Sequence, residues 1–223
     1  MGPDKTVHHR ICKNNSRNPM NSSAPCIFSF EGMVPVVDPA AFVHPTATLI
    51  GDVIIGARCF VGPGAVLRGD LGRLIMHPGS NVQDTCVLHS FPGFDVVIEE
   101  DGHVGHGAIL HGCRIGRNAM IGINATVLDQ AEIGCESIVA AGALVPASFK
   151  VPERTLVGGI PAKLLRALDD ADIARKSRGT RIYQDLAARM LLTLQRVPPL
   201  SAPEPGRRRV SQQNDDDLEP QAN

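Results

Sequence analysis

Tryptophan is absent from this 223-residue chain, tyrosine occurs once, and aromatic residues make up only 4% of it. Large aromatic side chains dominate most cores. Without them the interior has to be built from Val, Ile, Leu and Ala, which favours a thin, regular architecture over a thick globular one. A dominant charge is missing too: 22 Lys and Arg stand against 23 Asp and Glu, a net charge of −1. No overall basic field therefore marks nucleic acid as a partner. The six cysteines (Cys12, Cys26, Cys59, Cys86, Cys113 and Cys135) form no C-x-x-C pair and no dense framework. They read as reduced thiols packed as small apolar groups. No run approaches a membrane span, and the N-terminus lacks the apolar core of a signal peptide. The chain reads as soluble and cytoplasmic, with neither membrane nor nucleic acid among its partners.

The length fits one domain with appendages. Residues 1–26 are polar and aperiodic and read as a disordered extension, so His8 and His9 carry no role. Residues 198–223 combine five prolines with Arg207–Arg209 and Asp215–Asp217, the composition of a solvated tail.

Between these ends lies a repeat. Aliphatic residues recur every six positions at Val43, Leu49, Ile55, Val61 and Leu67, and again at Ile115, Ile121, Val127, Ile133, Val139 and Val145. Several are followed by glycine, as in Ile55-Gly56, Val61-Gly62 and Ile121-Gly122. That is the pattern of a hexapeptide solenoid, in which each hexad is a short strand plus a turn and three hexads make one triangular coil. The expected fold is all-β: a parallel β-helix over 27–165. Through the middle the inward positions run Leu67, Met76, Val82, Leu88, Ile98, Val104, Leu110, Ile115. The spacings of nine, ten and five predict small loops or deletions after Leu67, Leu88 and Leu110, where a regular solenoid needs none. From about Asp169 the pattern turns helical. A C-terminal helix is expected within 166–197, kinked near Gly179, with Ile173, Ile182, Leu186, Met190, Leu191 and Leu194 on its packing stripe.

The stretch "GHVGHGAILHGC" places His103, His106 and His111 in this middle section. Leu88 and Leu110 differ by three hexads, one full coil. His89 and His111, which follow them, should therefore project outward and stack roughly 4.8 Å apart. Two imidazoles so placed can share a metal at bonds of about 2.0–2.1 Å. His106 falls a hexad earlier, on a different face. In a threefold trimer it would arrive from the neighbouring subunit, giving an interfacial three-histidine site with an open position, as catalytic zinc has. The alternative is a histidine-lined subunit interface without metal. His103, with no stacked partner, reads as a surface or supporting residue, and His44 and His77 as structural. Arg68, Asp70, Asn81, Gln83 and Asp84 crowd the approach to His89. Polar groups there serve either to orient the ligands or to form interface ion pairs.

The motifs "RGD", "NVQD", "VLH", "VGHGAILHGC" and "GGIPAK", in this order, resemble the γ-class carbonic anhydrase superfamily of hexapeptide-repeat proteins, and within it the PaaY/CaiE branch. The resemblance covers about residues 28–200. It implies a left-handed β-helix assembled as a homotrimer with interfacial metal sites, His89 and His111 being ligands from one subunit and His106 from the next. The metal would be zinc, with iron or cobalt as alternatives. It further implies that Gln83 contacts the metal-bound water and Asn81 helps place substrate. Arg68 and Asp70 would belong to the interface and site wall, Asp84 would partner an arginine, and Tyr183 would lie near the pocket. The archetypal γ-class enzyme carries an acidic proton-shuttling loop between the first two ligands. Here that segment is "SFPGFDVVIEED", with an apolar tip.

Three functions remain open. The first is hydrolysis of a coenzyme A thioester in phenylacetate breakdown, a metal-bound hydroxide attacking the carbonyl. Phe91 and Phe94 would then wall the acyl group and Lys163 would meet a coenzyme A phosphate. The second is CO2 hydration to bicarbonate. The third is a metal-free acyltransferase or scaffold.

Overall fold

The computed structural model describes residues 25–207. The extension up to Ala24, and Arg208, Arg209 and Asp215–Asp217 of the tail, lie outside the described residues. The chain winds as a parallel β-solenoid of three strand stacks, each seven strands deep among the described residues. Face 1 contains Cys26–Phe28, the first parts of Thr48–Ile55 and Val66–Met76, then Val87–His89, Ile109–His111, Thr126–Val127 and Leu144–Val145. Face 2 contains Val36–Val37, the later parts of the two long strands, then Val96–Ile98, Arg114–Ile115, Glu132–Ile133 and Lys150–Val151. Face 3 runs from Phe42–Val43 through Asn81–Val82 and His103–Val104 to Thr155–Gly159. An antiparallel strand, Ala162–Ala167, closes its end.

The hexad period accounts for this winding. Leu49, Val61, Leu67, Val82, Leu88, Ile98, Val104, Leu110, Ile115, Ile121, Val127, Val139 and Val145 are all fully buried, one per strand, in one continuous core. Small residues let consecutive coils stack at the strand spacing. A methyl group on Gly122, for instance, would come within 2.5 Å of the Ala141 amide nitrogen in the next coil. Corner residues such as Arg58, Asn118 and Gln130 adopt positive φ of 53–60°, which turns the chain sharply between faces.

Several expectations change. The nine-residue spacing after Leu67 is not a loop. Val66–Met76 is one continuous 11-residue strand that bends around a corner and pairs with both Val87–His89 and Val96–Ile98, so the extra residues are absorbed in extended backbone carrying Arg68 and Asp70. The helix, α1, spans Asp170–Thr193 without interruption at Gly179. It starts later than residue 166 because Ala162–Ala167 is strand and because Asp169 caps it, in a capping box completed by Asp172.

The helix runs back along face 3, but not on the apolar stripe expected. Its buried residues are Asp172, Lys176, Thr180 and Ala187, while Ile182, Leu191 and Leu194 are 39–47% exposed. The cause lies in the surface it covers, which presents Asn118, His103 and Asn81 before reaching Phe60 and Phe42. Polar groups on that surface need hydrogen-bond partners once buried, so the first half of the helix presents them. Only the second half packs apolar residues, with Ala187, Tyr183, Leu186 and Met190 against Phe42 and Phe60. None of the helices among the described residues is long and apolar enough to cross a membrane.

Candidate functional site

Leu88 and Leu110 point into the core in register, so the residues after them, His89 and His111, project outward as direct neighbours on face 1. The rings lie 5.2 Å apart between centroids, with His89 Nδ1 3.2 Å from His111 Nε2. Each remaining ring nitrogen meets a carboxylate. His89 Nε2 is 3.0 Å from Asp70 Oδ1, and His111 Nδ1 is 2.6 Å from Asp129 Oδ1. Arg68 extends the line, its Nη1 donating to Asp70 Oδ2 at 2.7 Å. Desolvation alone would raise the Asp70 carboxyl, but the bonds from Arg68 and His89 hold it below its ordinary value. Phe91 stands edge-on to His111 at 4.8 Å between centroids, and both Phe91 and Phe94 are exposed.

His106 occupies the corner between face 3 and face 1. Its Nδ1 lies 2.8 Å from Asp84 Oδ2, and its Nε2 lies 3.3 Å from the Tyr183 hydroxyl. Within one chain Asp84 thus pairs with a histidine, the same carboxylate arrangement that holds His89 and His111. Burial, with Asp84 and Cys86 nearby, pushes the Tyr183 phenol up to about 12, so it remains a hydrogen-bond donor. His106 and the His89–His111 pair stand at opposite edges of face 1. Among the described residues no group of three His, Cys, Asp or Glu side chains is arranged to hold a metal. One chain supplies two converging nitrogens and, separately, one more.

Asn81 and Gln83 are buried under α1 with His103, not beside the pair. Gln83 Nε2 donates to Asn81 Oδ1 at 3.1 Å and lies 2.7 Å from His103 Nε2. Asn81 Nδ2 and Thr180 Oγ1 approach His103 Nδ1 at 3.2 and 3.3 Å. His103 is thus neither at the surface nor beside the pair; it is a buried hub joining helix to solenoid. Lys163 lies in the closing strand of face 3, four strands beyond the His103 level, and is not brought to the histidines within the chain. Asp129 is a site residue that the sequence reading missed. The coil after His111 is 17 residues long, Leu110 pairing with Val127, so counting lands on Leu128 and Asp129, one residue further, reaches His111 from the turn.

The buried helix contacts carry a pH dependence. Lys176 donates to the Asp101 carbonyl at 2.8 Å and to Asn118 Oδ1 at 2.6 Å. Burial pushes its ammonium down from 10.5 to about 7, against the pull of Asp101 and Glu136. Burial, then the nearness of Lys176 and His106, lowers His103 from 6.5 to about 3. In both cases the unfolded chain binds the proton more readily, so stability rises with pH across each interval. Cys86, which burial pushes from 9.0 up to about 11, acts oppositely above pH 9, where the unfolded thiol ionises first. The melting temperature should climb between pH 7 and 9 and level or fall beyond. Lys176→Met should remove most of the climb, as read by thermal denaturation at fixed ionic strength. An unchanged slope in that variant would contradict the assignment.

The family model described as bacterial transferase hexapeptide (six repeats) matches residues 35–69. The carnitine operon protein CaiE of Proteus sp. (strain LE138) is 50% identical over 184 residues, covering 82% of this chain and 93% of that protein. The chain belongs to the hexapeptide-repeat family, in its CaiE-like, γ-class carbonic anhydrase-like branch. CaiE of Escherichia coli (strain K12) is 49% identical over the same share of the CaiE-like chain. Among solved structures, a Bacillus cereus protein described as a putative acetyltransferase superposes with a TM-score of 0.75 at 35% identity, over 76% of this chain and 98% of that one. A hexapeptide transferase family protein from Anaplasma phagocytophilum gives 0.70 at 36%, over 73% and 96%. CaiE-like membership thus agrees with the hexad pattern and the solenoid.

Proposed function

We propose that this chain is a metal-dependent hydrolase of coenzyme A thioesters, acting as a homotrimer whose metal sites lie between subunits. One observation carries the reading: His89 Nδ1 and His111 Nε2 face each other at 3.2 Å. Two nitrogen ligands at about 2.0–2.1 Å from one tetrahedral ion stand about 3.4 Å apart. These residues therefore fit a divalent cation, with His106 of a neighbouring copy as the third imidazole. Support for a neighbour comes from face 1, where Val87 and Ile109, lying between the two half-sites, are 41% and 44% exposed. Three imidazoles suit zinc, with iron(II) and cobalt(II) as alternatives. When bound, such an ion supplies Lewis acidity, polarising a carbonyl and making water nucleophilic at neutral pH.

The chain's own residues do the rest. Asp70 and Asp129 orient the paired rings, Asp84 orients His106, and the exposed edges of Phe91 and Phe94 offer an apolar wall to an acyl group. The segment between the ligands holds one carboxylate near its tip, Asp95, whose Oδ1 accepts from the Arg73 amide at 3.2 Å. A loop anchored in that way is a poor proton shuttle, which favours thioester hydrolysis over fast CO2 hydration. A second reading, acyl transfer, draws on the putative acetyltransferase among the solved relatives.

Thiol release from phenylacetyl-CoA by zinc-loaded protein, with and without chelator, tests the proposal. Release that needs no acceptor and stops with chelator is the expected result. Release that requires an acceptor amine and survives chelator would make the chain an acyltransferase. Fully metallated protein that hydrates CO2 and releases no thiol would make it a carbonic anhydrase.

A further inference from the structure

We infer that Asp129 is a positioning residue for the metal site, fixing the tautomer and the direction of His111; the inference rests on the metal reading proposed above. An ionised carboxylate only accepts hydrogen bonds. At 2.6 Å from Asp129 Oδ1, His111 Nδ1 therefore carries the ring proton, which leaves Nε2 with a bare lone pair. Asp70 does the same from the other side: His89 Nε2 donates to it at 3.0 Å, so Nδ1 is bare. Two lone pairs then face each other at 3.2 Å, an arrangement that repels unless a cation stands between them. The neutral pair left to itself would relax by moving one proton inward, so that one ring donates to the other. Asp129 and Asp70 bias the pair against that relaxation and toward a cation.

The solenoid is shaped to let Asp129 reach. The turn after His111 is one residue shorter than a hexad, and it contains Gly112 at φ +51°. A methyl group at Gly112 would lie 2.7 Å from Asp129 Oδ1 and 3.3 Å from Ser90 Oγ. The Gln130 amide, next in the chain after Asp129, donates to the Gly112 carbonyl at 2.7 Å and ties the two turns together. The five-residue spacing between Leu110 and Ile115 thus has a structural purpose: it closes the corner on which the carboxylate of the following coil rests. Asp129 is 27% exposed in its side chain, on a turn outside the core, so its replacement should leave the fold intact.

The test compares wild type, Asp129→Ala and Asp129→Asn on the whole trimer by two readouts. Cobalt(II) titration, followed by visible absorption, gives affinity; 15N shifts of His111 in the metal-free protein give the tautomer. Loss of an orienting partner typically weakens metal binding about 10–100-fold, and that is the fall expected for Asp129→Ala. Asp129→Asn, whose amide oxygen can still accept from Nδ1, should recover most of it. In metal-free wild type the His111 proton should reside on Nδ1, and in Asp129→Ala it should shift toward Nε2. Equal cobalt affinity in Asp129→Ala and wild type, or a proton that does not move, overturns the inference. Wild type that binds no cobalt overturns the metal reading instead, and the tautomer measurement still decides whether Asp129 sets the ring.

Discussion

His106→Ala is expected to abolish tight metal binding while leaving the solenoid folded and its assembly unchanged. The imidazole is 43% exposed and contributes nothing to the core, so stability should move little. Its removal leaves a cation with only the His89–His111 pair, which is too few protein ligands for a catalytic site. The fall should exceed the roughly 10–100-fold that follows loss of an orienting carboxylate. His44→Ala is the matched control. It directly follows Val43 on face 3, and among the described residues its ring hydrogen-bonds only to Thr46, at 2.8 Å. Metal content per chain, measured after exhaustive dialysis with the oligomeric mass determined in parallel, reads the result. One ion per chain retained in His106→Ala would sink the assignment of that histidine as a ligand.

Leu110→Ala is expected to destabilise the fold by about 2–5 kcal/mol, the range for removing a fully buried leucine. Leu110 is completely enclosed, stacked in register on Leu88 below and Val127 above. In a solenoid each coil contacts only its neighbours, so a void in the middle weakens two interfaces at once. The same residue sets the direction of His111, the next in the strand. Metal affinity should therefore fall together with stability, whereas a void at a distant coil, such as Val145→Ala, should lower stability alone. Urea denaturation of the two variants separates these outcomes. A Leu110→Ala protein within 1 kcal/mol of wild type would show that the coils can collapse around the void.

The parts of this account that were legible in the sequence share one cause. Wherever a single period governs the side chains, counting along the chain locates them in space. The inward column from Leu49 to Val145 follows from the hexad. So does the stacking of His89 on His111, because Leu88 and Leu110 differ by one coil. Counting failed where extra residues were absorbed without a loop. Val66–Met76 stays extended across a corner, and nothing in "LRGDLGRLIM" distinguishes a bent strand from a bulged turn. Hydrophobic periodicity misplaced the seating face of α1 for a different reason. The helix covers His103, Asn81 and Asn118, so hydrogen bonding, not apolar burial, decides which side faces in. His103 looked unpartnered because its partners, Gln83 and Thr180, lie 20 and 77 residues away in the chain. Counting misses Asp129 because the coil after His111 is 17 residues long, Leu110 pairing with Val127, so the count lands on Leu128 while the carboxylate arrives from the turn that follows it.

Anomalous scattering at the zinc edge from crystals of the zinc-loaded protein tests the central claim most directly. The expected result is one peak per chain, bonded to His89 Nδ1 and His111 Nε2 and closed by His106 of a neighbouring copy, with the two carboxylates still on the opposite ring nitrogens. A metallated protein whose zinc lies elsewhere, or a His89–His111 pair that stays empty at saturating zinc, would contradict it.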